Sequence, residues 1–291
     1  MTCRAAFMTS AVVVAATVAA AAQVVMYRVR TDIVFVDVSV MVDHQPVHDL
    51  RPDDFEVTDN GVPQRVEDVA NEGMPIDVSL VVDLSGSVVD NIDAFKEDVR
   101  RFAALLRPID RIRVVSFASE VHEVVPLAAV AGPLALDFGR GGGGTSLNDA
   151  LADAMLRPDD PERRHLIIVF TDGFDTDSVL SNRRVPDLAQ HSAAVIHAVL
   201  VPGHASTTSP IEAGAREALV EAAARTGGEA HTLGSAFGDF KHVFEDFRAS
   251  YVVRFKPTGV DPTGWHALTV KVRGPRAASA VVRARRGYFG G

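Results

Sequence analysis

Cysteine is almost missing from these 291 residues: Cys3 is the one copy, and it lies in a stretch that reads as a removable leader. The mature chain would then hold no disulfide, no thiolate ligand and no cysteine nucleophile. Cys3 also lacks the small residues just before it that a lipid-anchoring site needs. Basic charge is scarce as well. Lys and Arg number 29 against 38 Asp and Glu, a formal net charge of -9, which argues against a nucleic-acid partner with its basic footprint. The densest basic cluster, Arg283, Arg285 and Arg286, alternates with apolar residues and reads as the solvated face of a strand.

Several catalytic signatures are missing too. No Gly-Lys-Ser/Thr follows the glycines at 141–144, so they are not a P-loop. The first strand-to-helix turn carries Gly86 alone, without the dinucleotide fingerprint. No Gly-x-Ser-x-Gly elbow seats a hydrolase nucleophile. The ten histidines are scattered without His-Glu-x-x-His spacing and read as structural or surface residues. Asp175 and Asp177 lack the spaced acidic pattern of an EF-hand and read as a solvated turn.

The chain opens on a leader-like segment. Arg4 supplies a positive start, Ala5–Ala19 is apolar, and Ala20-Ala21-Ala22 before Gln23 fits a cleavage site. A signal peptide over 1–22 and export to the periplasm or cell exterior are expected. The alternative is an uncleaved anchor, and only then would the membrane be a partner. Beyond the leader, Thr31–Asp43 alternates with valines on one face, a turn is expected at His44-Gln45-Pro46, and Asp59-Asn60-Gly61 reads as a hairpin turn.

From Ile76 the pattern changes to strand–helix alternation. A strand over Ile76–Leu84, an amphipathic helix over Val88–Leu106 and a continuous apolar strand over His165–Phe170 are its clearest members. Such alternation predicts a doubly wound, mostly parallel sheet with helices on both faces. The tail returns to alternating strands. Neither β region alone has enough strands to bury a core, so 31–70 and 250–288 are expected to form one discontinuous antiparallel β-sandwich, with an α/β domain over 75–249 inserted.

Asp83-Leu84-Ser85-Gly86-Ser87 ends the first α/β strand, Thr145 follows the glycine-rich loop, and Asp172 ends the long apolar strand. In open α/β sheets, ligands bind outside the carboxyl ends of strands where strand order reverses. If these loops meet there, they gather hydroxyls and carboxylates without His or Cys. Hard oxygen donors of this kind select Mg²⁺, Mn²⁺ or Ca²⁺. Taken singly, Ser85, Ser87 and Thr145 read equally well as helix caps.

Together the five resemble the metal-ion-dependent adhesion site of the von Willebrand factor type A domain, over about Ile76 to Ser250. Asp53-Asp54-Phe55-Glu56-Val57 with Asp59-Asn60-Gly61 before it, and Arg285-Arg286-Gly287-Tyr288 after it, are similar to a secreted bacterial subfamily. The resemblance implies a six-stranded Rossmann-like sheet of order 3-2-1-4-5-6. It also implies Asp83, Ser85, Ser87, Thr145 and Asp172 as metal ligands, Mg²⁺ as cofactor, and a protein partner offering Asp or Glu to the metal. No enzymatic activity is expected. The alternatives are a metal-dependent phosphohydrolase, which would want a second carboxylate where Ser85 stands, or a scaffold whose cation is purely structural.

Overall fold

Alternating valines build the first strand, β1 (Val34–Val42), with Val36, Val38 and Val40 buried and Asp37 and Ser39 turned to the other face. The computed structural model describes residues 33–71, 73–86, 88, 91–139, 141–157, 160–202 and 210–291, so the leader expected over 1–22 lies outside them. A tight turn leads to β2 (Gln45–Pro46). It sits on Asp43 and His44, both at positive φ, one residue earlier than expected. Then come β3 (Phe55–Asp59), β4 (Val62–Gln64) and β5 (Val66–Asn71). Asn60 at φ 47° and Gly61 at φ 80° make the hairpin turn between β3 and β4, as the Asn-Gly pair predicts.

The α/β half follows in the order β6 (Ile76–Asp83), α1 (Ile92–Ala103), β7 (Arg111–Phe117), β8 (Val121–Ala129), α2 (Leu147–Met155) and β9 (Arg164–Thr171). It continues with α3 (Val185–His191), β10 (Val195–Leu200), α4 (Pro210–Thr226), β11 (Ala230–Thr232) and α5 (Ala236–Ala249). Helix α1 starts later than its apolar periodicity suggests. Asn91 accepts a hydrogen bond from the Ala94 N–H at 3.1 Å, and this cap fixes the first turn. The tail forms β12 (Tyr251–Phe255), β13 (Gly264–Val272), β14 (Val281–Ala284) and β15 (Gly287–Gly290). Among the described residues, no helix is long and apolar enough to cross a membrane.

The central sheet runs β11-β10-β9-β6-β7-β8, which is the 3-2-1-4-5-6 order, and only β8 is antiparallel. Strand β6 is buried along its whole length. Its Val78, Leu80 and Val82 pack against α1 and α5, where Phe95, Phe102, Phe240 and Phe244 interlock edge to face. Val81 faces the opposite layer with α2, α3 and α4. Two antiparallel sheets, β14-β1-β12-β5 and β15-β13-β3-β4, enclose a second core of Val36, Val38, Phe55, Val57, Tyr251 and Val253. Both sheets draw strands from both ends of the chain, so the fold is the doubly wound α/β sheet set into an antiparallel sandwich.

The two flanking motifs meet inside that sandwich. The Tyr288 hydroxyl donates to Asp59 at 2.8 Å, and Asp59 also holds the buried His266 ring at 2.9 Å. The carboxylate and burial together raise the Tyr288 pKa. Two of the three arginines of the tail depart from the solvated face expected of them. Arg283, half-buried, pairs with Glu229 at 2.7 Å, and half-buried Arg285 donates to the Ser192 carbonyl at 2.6 Å. Arg286 stays exposed, as expected, although it pairs with Glu221 at 2.9 Å.

Two further arginine sites lie at the amino ends of the central strands. Buried Arg164 donates to Asp37 of β1, the Phe247 carbonyl and the Ser250 hydroxyl at 2.6–2.7 Å, joining both halves at the α5–β12 junction. Asp77, at the start of β6, accepts from Arg111 at 2.8 Å, Arg157 at 3.0 Å and Arg163 at 2.6 Å. Burial pushes the Asp77 pKa up, but the three guanidinium hydrogen bonds outweigh it and bring the value down to about 2. Because the folded pKa lies below the ordinary 3.8, this carboxylate stabilises the fold fully above that value, and the contribution is lost as pH falls through about 2. Asp77→Ala leaves the guanidinium cluster without its anion, and urea denaturation should show a loss of about 3 kcal/mol at neutral pH that shrinks toward pH 2.

Candidate functional site

The strand order reverses between β6 and β9, whose paired backbones set Val82 beside Phe170. Asp83 and Asp172 therefore leave the same edge of the sheet at the switch point. Both are buried, at 0% and 1% exposure, and Ser85 and Thr145 beside them are 6% exposed. Ser87 lies outside the described residues. Four of the five sequence-predicted residues thus stand at the carboxyl edge of one sheet.

Each is held by hydrogen bonds that local sequence provides. The Ser85 N–H donates to Asp83 Oδ1 at 2.9 Å, turning the chain back at the strand end. Thr171, the last residue of β9, donates its hydroxyl to Asp83 Oδ2 at 2.6 Å, and its oxygen accepts from the Gly173 N–H at 3.0 Å. Thr171 had no motif to single it out; its signal is only that it precedes Asp172 on a strand adjacent to β6. Asp172 Oδ1 accepts from the Phe174 N–H at 3.2 Å.

Thr145 reaches this edge through the glycine-rich loop. The Gly142 N–H donates to the Leu84 carbonyl at 3.1 Å with φ at 104°, a conformation that favours glycine. A Cβ on Gly141 would collide with the same Leu84 carbonyl, and one on Gly144 would collide with the Asp177 carboxylate. The glycines thus let the backbone lie directly on the residue that follows Asp83. The Thr145 N–H donates to the Thr176 hydroxyl at 2.8 Å, and its carbonyl accepts from the Thr176 and Asp177 N–H groups. Asp175, expected as part of a solvated turn, is half-buried and accepts from the Asn148 N–H at 2.9 Å and the Ser178 hydroxyl at 2.5 Å. It stitches the start of α2 to the loop after β9, which fixes Thr145 relative to Asp172.

The electrostatics are those of an anionic pair. Burial first, and the charge of Asp172 after it, lift the Asp83 pKa to about 6 against the hydrogen bonds from Ser85 and Thr171. Two carboxylates out of water repel unless a proton or a cation lies between them. The donor chemistry fits a hard divalent cation, because every side-chain atom offered is a carboxylate or hydroxyl oxygen. A cavity of about 180 Å³ opens beside the loops, lined by Leu84, Ser116, Ser119, His122, Phe138 and Gly142. A larger one of about 230 Å³ lies at the opposite edge, around Asp77, Arg157 and Arg163, and has no part in the oxygen cluster.

Residues 78–174, which contain both carboxylates and the glycine-rich loop, match the family model of the von Willebrand factor type A domain. No curated protein matches the chain. It is similar to a solved von Willebrand factor type A structure from Catenulispora acidiphila, at 14% identity, 81% of this chain, 72% of that one and a TM-score of 0.47. The conserved hypothetical protein BatB from Bacteroides thetaiotaomicron matches at 15% identity, over 59% of this chain and 96% of that one, with a TM-score of 0.42. The manganese-loaded TRAP protein of Plasmodium vivax matches at 15% identity, over 76% of this chain and 97% of that one, with a TM-score of 0.41. The segment from 78 to 174 belongs to the von Willebrand factor type A domain family.

Proposed function

We propose that this chain is an exported, non-enzymatic binding module that captures an acidic residue of a partner protein through a divalent cation held by Asp83, Ser85, Ser87, Thr145 and Asp172. The supporting observation is the pair of buried carboxylates, Asp83 and Asp172, at the switch point, with the Ser85 hydroxyl on Asp83 and the buried Thr145 carried to the same edge by the glycine-rich loop. The cation, when bound, supplies a positive centre that an incoming Asp or Glu can complete; Mg²⁺ suits the oxygen set, and Mn²⁺ or Ca²⁺ are the alternatives.

The remaining work belongs to the chain. Thr171 and the Ser85 N–H orient the Asp83 carboxylate. The glycine-rich loop brings Thr145 in over Leu84, and Asp175 holds it there. Neutral hydroxyls in place of further carboxylates leave the cation under-neutralised and attractive to an acidic side chain. The nearby cavity offers a place for the neighbouring residues of the partner. Export rests on the leader-like sequence of residues 1–22.

A pull-down from the exported fraction tests the reading. Partner capture should need a divalent cation, be reversed by chelator, and vanish in Asp83→Ala while the variant stays folded; capture retained by that variant contradicts the mechanism. Mg²⁺-dependent hydrolysis of phosphoesters that needs Asp83 would instead support the enzymatic alternative. A cation that raises the melting temperature without altering any partner would support the scaffold. Saturating Mg²⁺, at a hundredfold excess over its dissociation constant, should stabilise the wild type by about 2.7 kcal/mol and leave Asp83→Ala unchanged. Gly141→Ala should keep the fold by circular dichroism yet weaken cation binding about tenfold or more, because the added methyl pushes the Thr145 loop off Leu84.

A further inference from the structure

A second group of metal-competent side chains stands at the far edge of the central sheet. Strand β11 pairs with β10 in parallel, with Ala230 opposite Ala198, and the Ala198 N–H donates to the Glu229 carbonyl at 3.0 Å. Glu229 is therefore the neighbour of His197 across the strands, and His231, two residues on, shares their face. That face carries Val195 and Val199 and is covered by α5. The scattered positions of these histidines in sequence carried no ligand spacing; only the pairing of β10 with β11 brings them together.

The group has the marks of a site rather than of packing. One ligand atom from each of His197, Glu229 and His231 lies within 4.8 Å of the others. His197 is 5% exposed, and its Nδ1 has no hydrogen-bond partner; the buried Nε2 of His231 has none either. The two rings lie nearly parallel with centroids 5.8 Å apart. Burial lowers the pKa of both, to about 3 for His197, and at His231 it outweighs the opposing charge of Glu229, so both imidazoles are neutral at pH 7 with lone pairs available. Glu229 gives one oxygen to Arg283 at 2.7 Å and turns the other toward His231 Nε2, 3.5 Å away. Arg283 thereby orients the carboxylate, as outer partners do for metal ligands. On α5, His242 and Asp246 stand one turn apart over the group, with the His242 and His231 rings 5.9 Å apart.

We propose that His197, Glu229 and His231 form a second cation site, selective for zinc-like ions, that fastens the edge strand β11 to β10 beneath α5. Two imidazole nitrogens and one carboxylate oxygen are the donor set that zinc takes, with a fourth position for water or an α5 side chain. The same set is poor for Mg²⁺, which separates this site chemically from the oxygen cluster at the switch point. A tetrahedral ion draws its ligand atoms closer than 4.8 Å, and the half-buried Glu229 and His231 side chains have room to turn inward. The carboxylate and the two neutral rings would place a cation within reach of two ring nitrogens that have no hydrogen-bond partner.

Calorimetric titration of the full chain with Zn²⁺ in excess Mg²⁺ tests the site. One tight binding class is expected, retained in Asp83→Ala and weakened in His231→Gln and Glu229→Gln by at least the roughly 10–100-fold that loss of a supporting partner costs a metal site. Zn²⁺ uptake that is unchanged in those two variants, or that disappears in Asp83→Ala, overturns the proposal. Imidazole nitrogen NMR on the wild type provides a readout that needs no variant. Zn²⁺ should shift the His197 and His231 ring nitrogens, and unmoved signals overturn the site.

Discussion

The repulsion between two carboxylates that the sheet forces together is the constraint around which one edge of this protein is organised. Strands β6 and β9 are adjacent and parallel; β6 ends in Asp83 and β9 runs straight into Asp172, both with almost no access to water. Nothing in the packing of a hydrophobic sheet requires this; two valines or leucines could stand in the same places at lower cost. The surrounding loops answer the repulsion with donors and geometry. Thr171 and the Ser85 N–H share the Asp83 charge, and the glycine-rich loop packs its backbone against Leu84, the residue between Asp83 and Ser85. The cation proposed for this edge would offset that cost in desolvation.

The two edges of the sheet divide their tasks. At the carboxyl edge two buried carboxylates are brought together by the loops. At the amino edge charge meets opposite charge: Asp77 accepts from three arginines, and Arg164 donates to Asp37, the Phe247 carbonyl and the Ser250 hydroxyl. That paired edge, with the arginines of the tail, binds the α/β half to the sandwich. The last helix passes into β12 through Ser250 alone, whose hydroxyl is itself held by Arg164. The sandwich thus holds the sheet near the amino ends of its strands, and the oxygen cluster lies at the other edge.

Much of this was legible in the sequence, because it depends on local periodicity. Alternating valines gave β1, and Asn60-Gly61 gave the hairpin. The resemblance supplied the strand order, and the structure bears it out. What escaped was set by pairing in space. Thr171 matters because β9 lies beside β6, and Asp175 because its loop folds over α2. Arg283 and Arg285 looked solvated because their carboxylate and carbonyl partners lie 54 to 95 positions away. The histidines of β10 and the β11 edge showed no spacing for the same reason.

The most direct measurement is anomalous scattering from crystals of the full chain grown with Mn²⁺. A single strong peak is expected within ligand reach of Asp83, Ser85, Thr145 and Asp172, through direct bonds or one bound water. Absence of a peak between the two carboxylates at saturating Mn²⁺, with Asp83 and Asp172 turned apart, would contradict the account at its root.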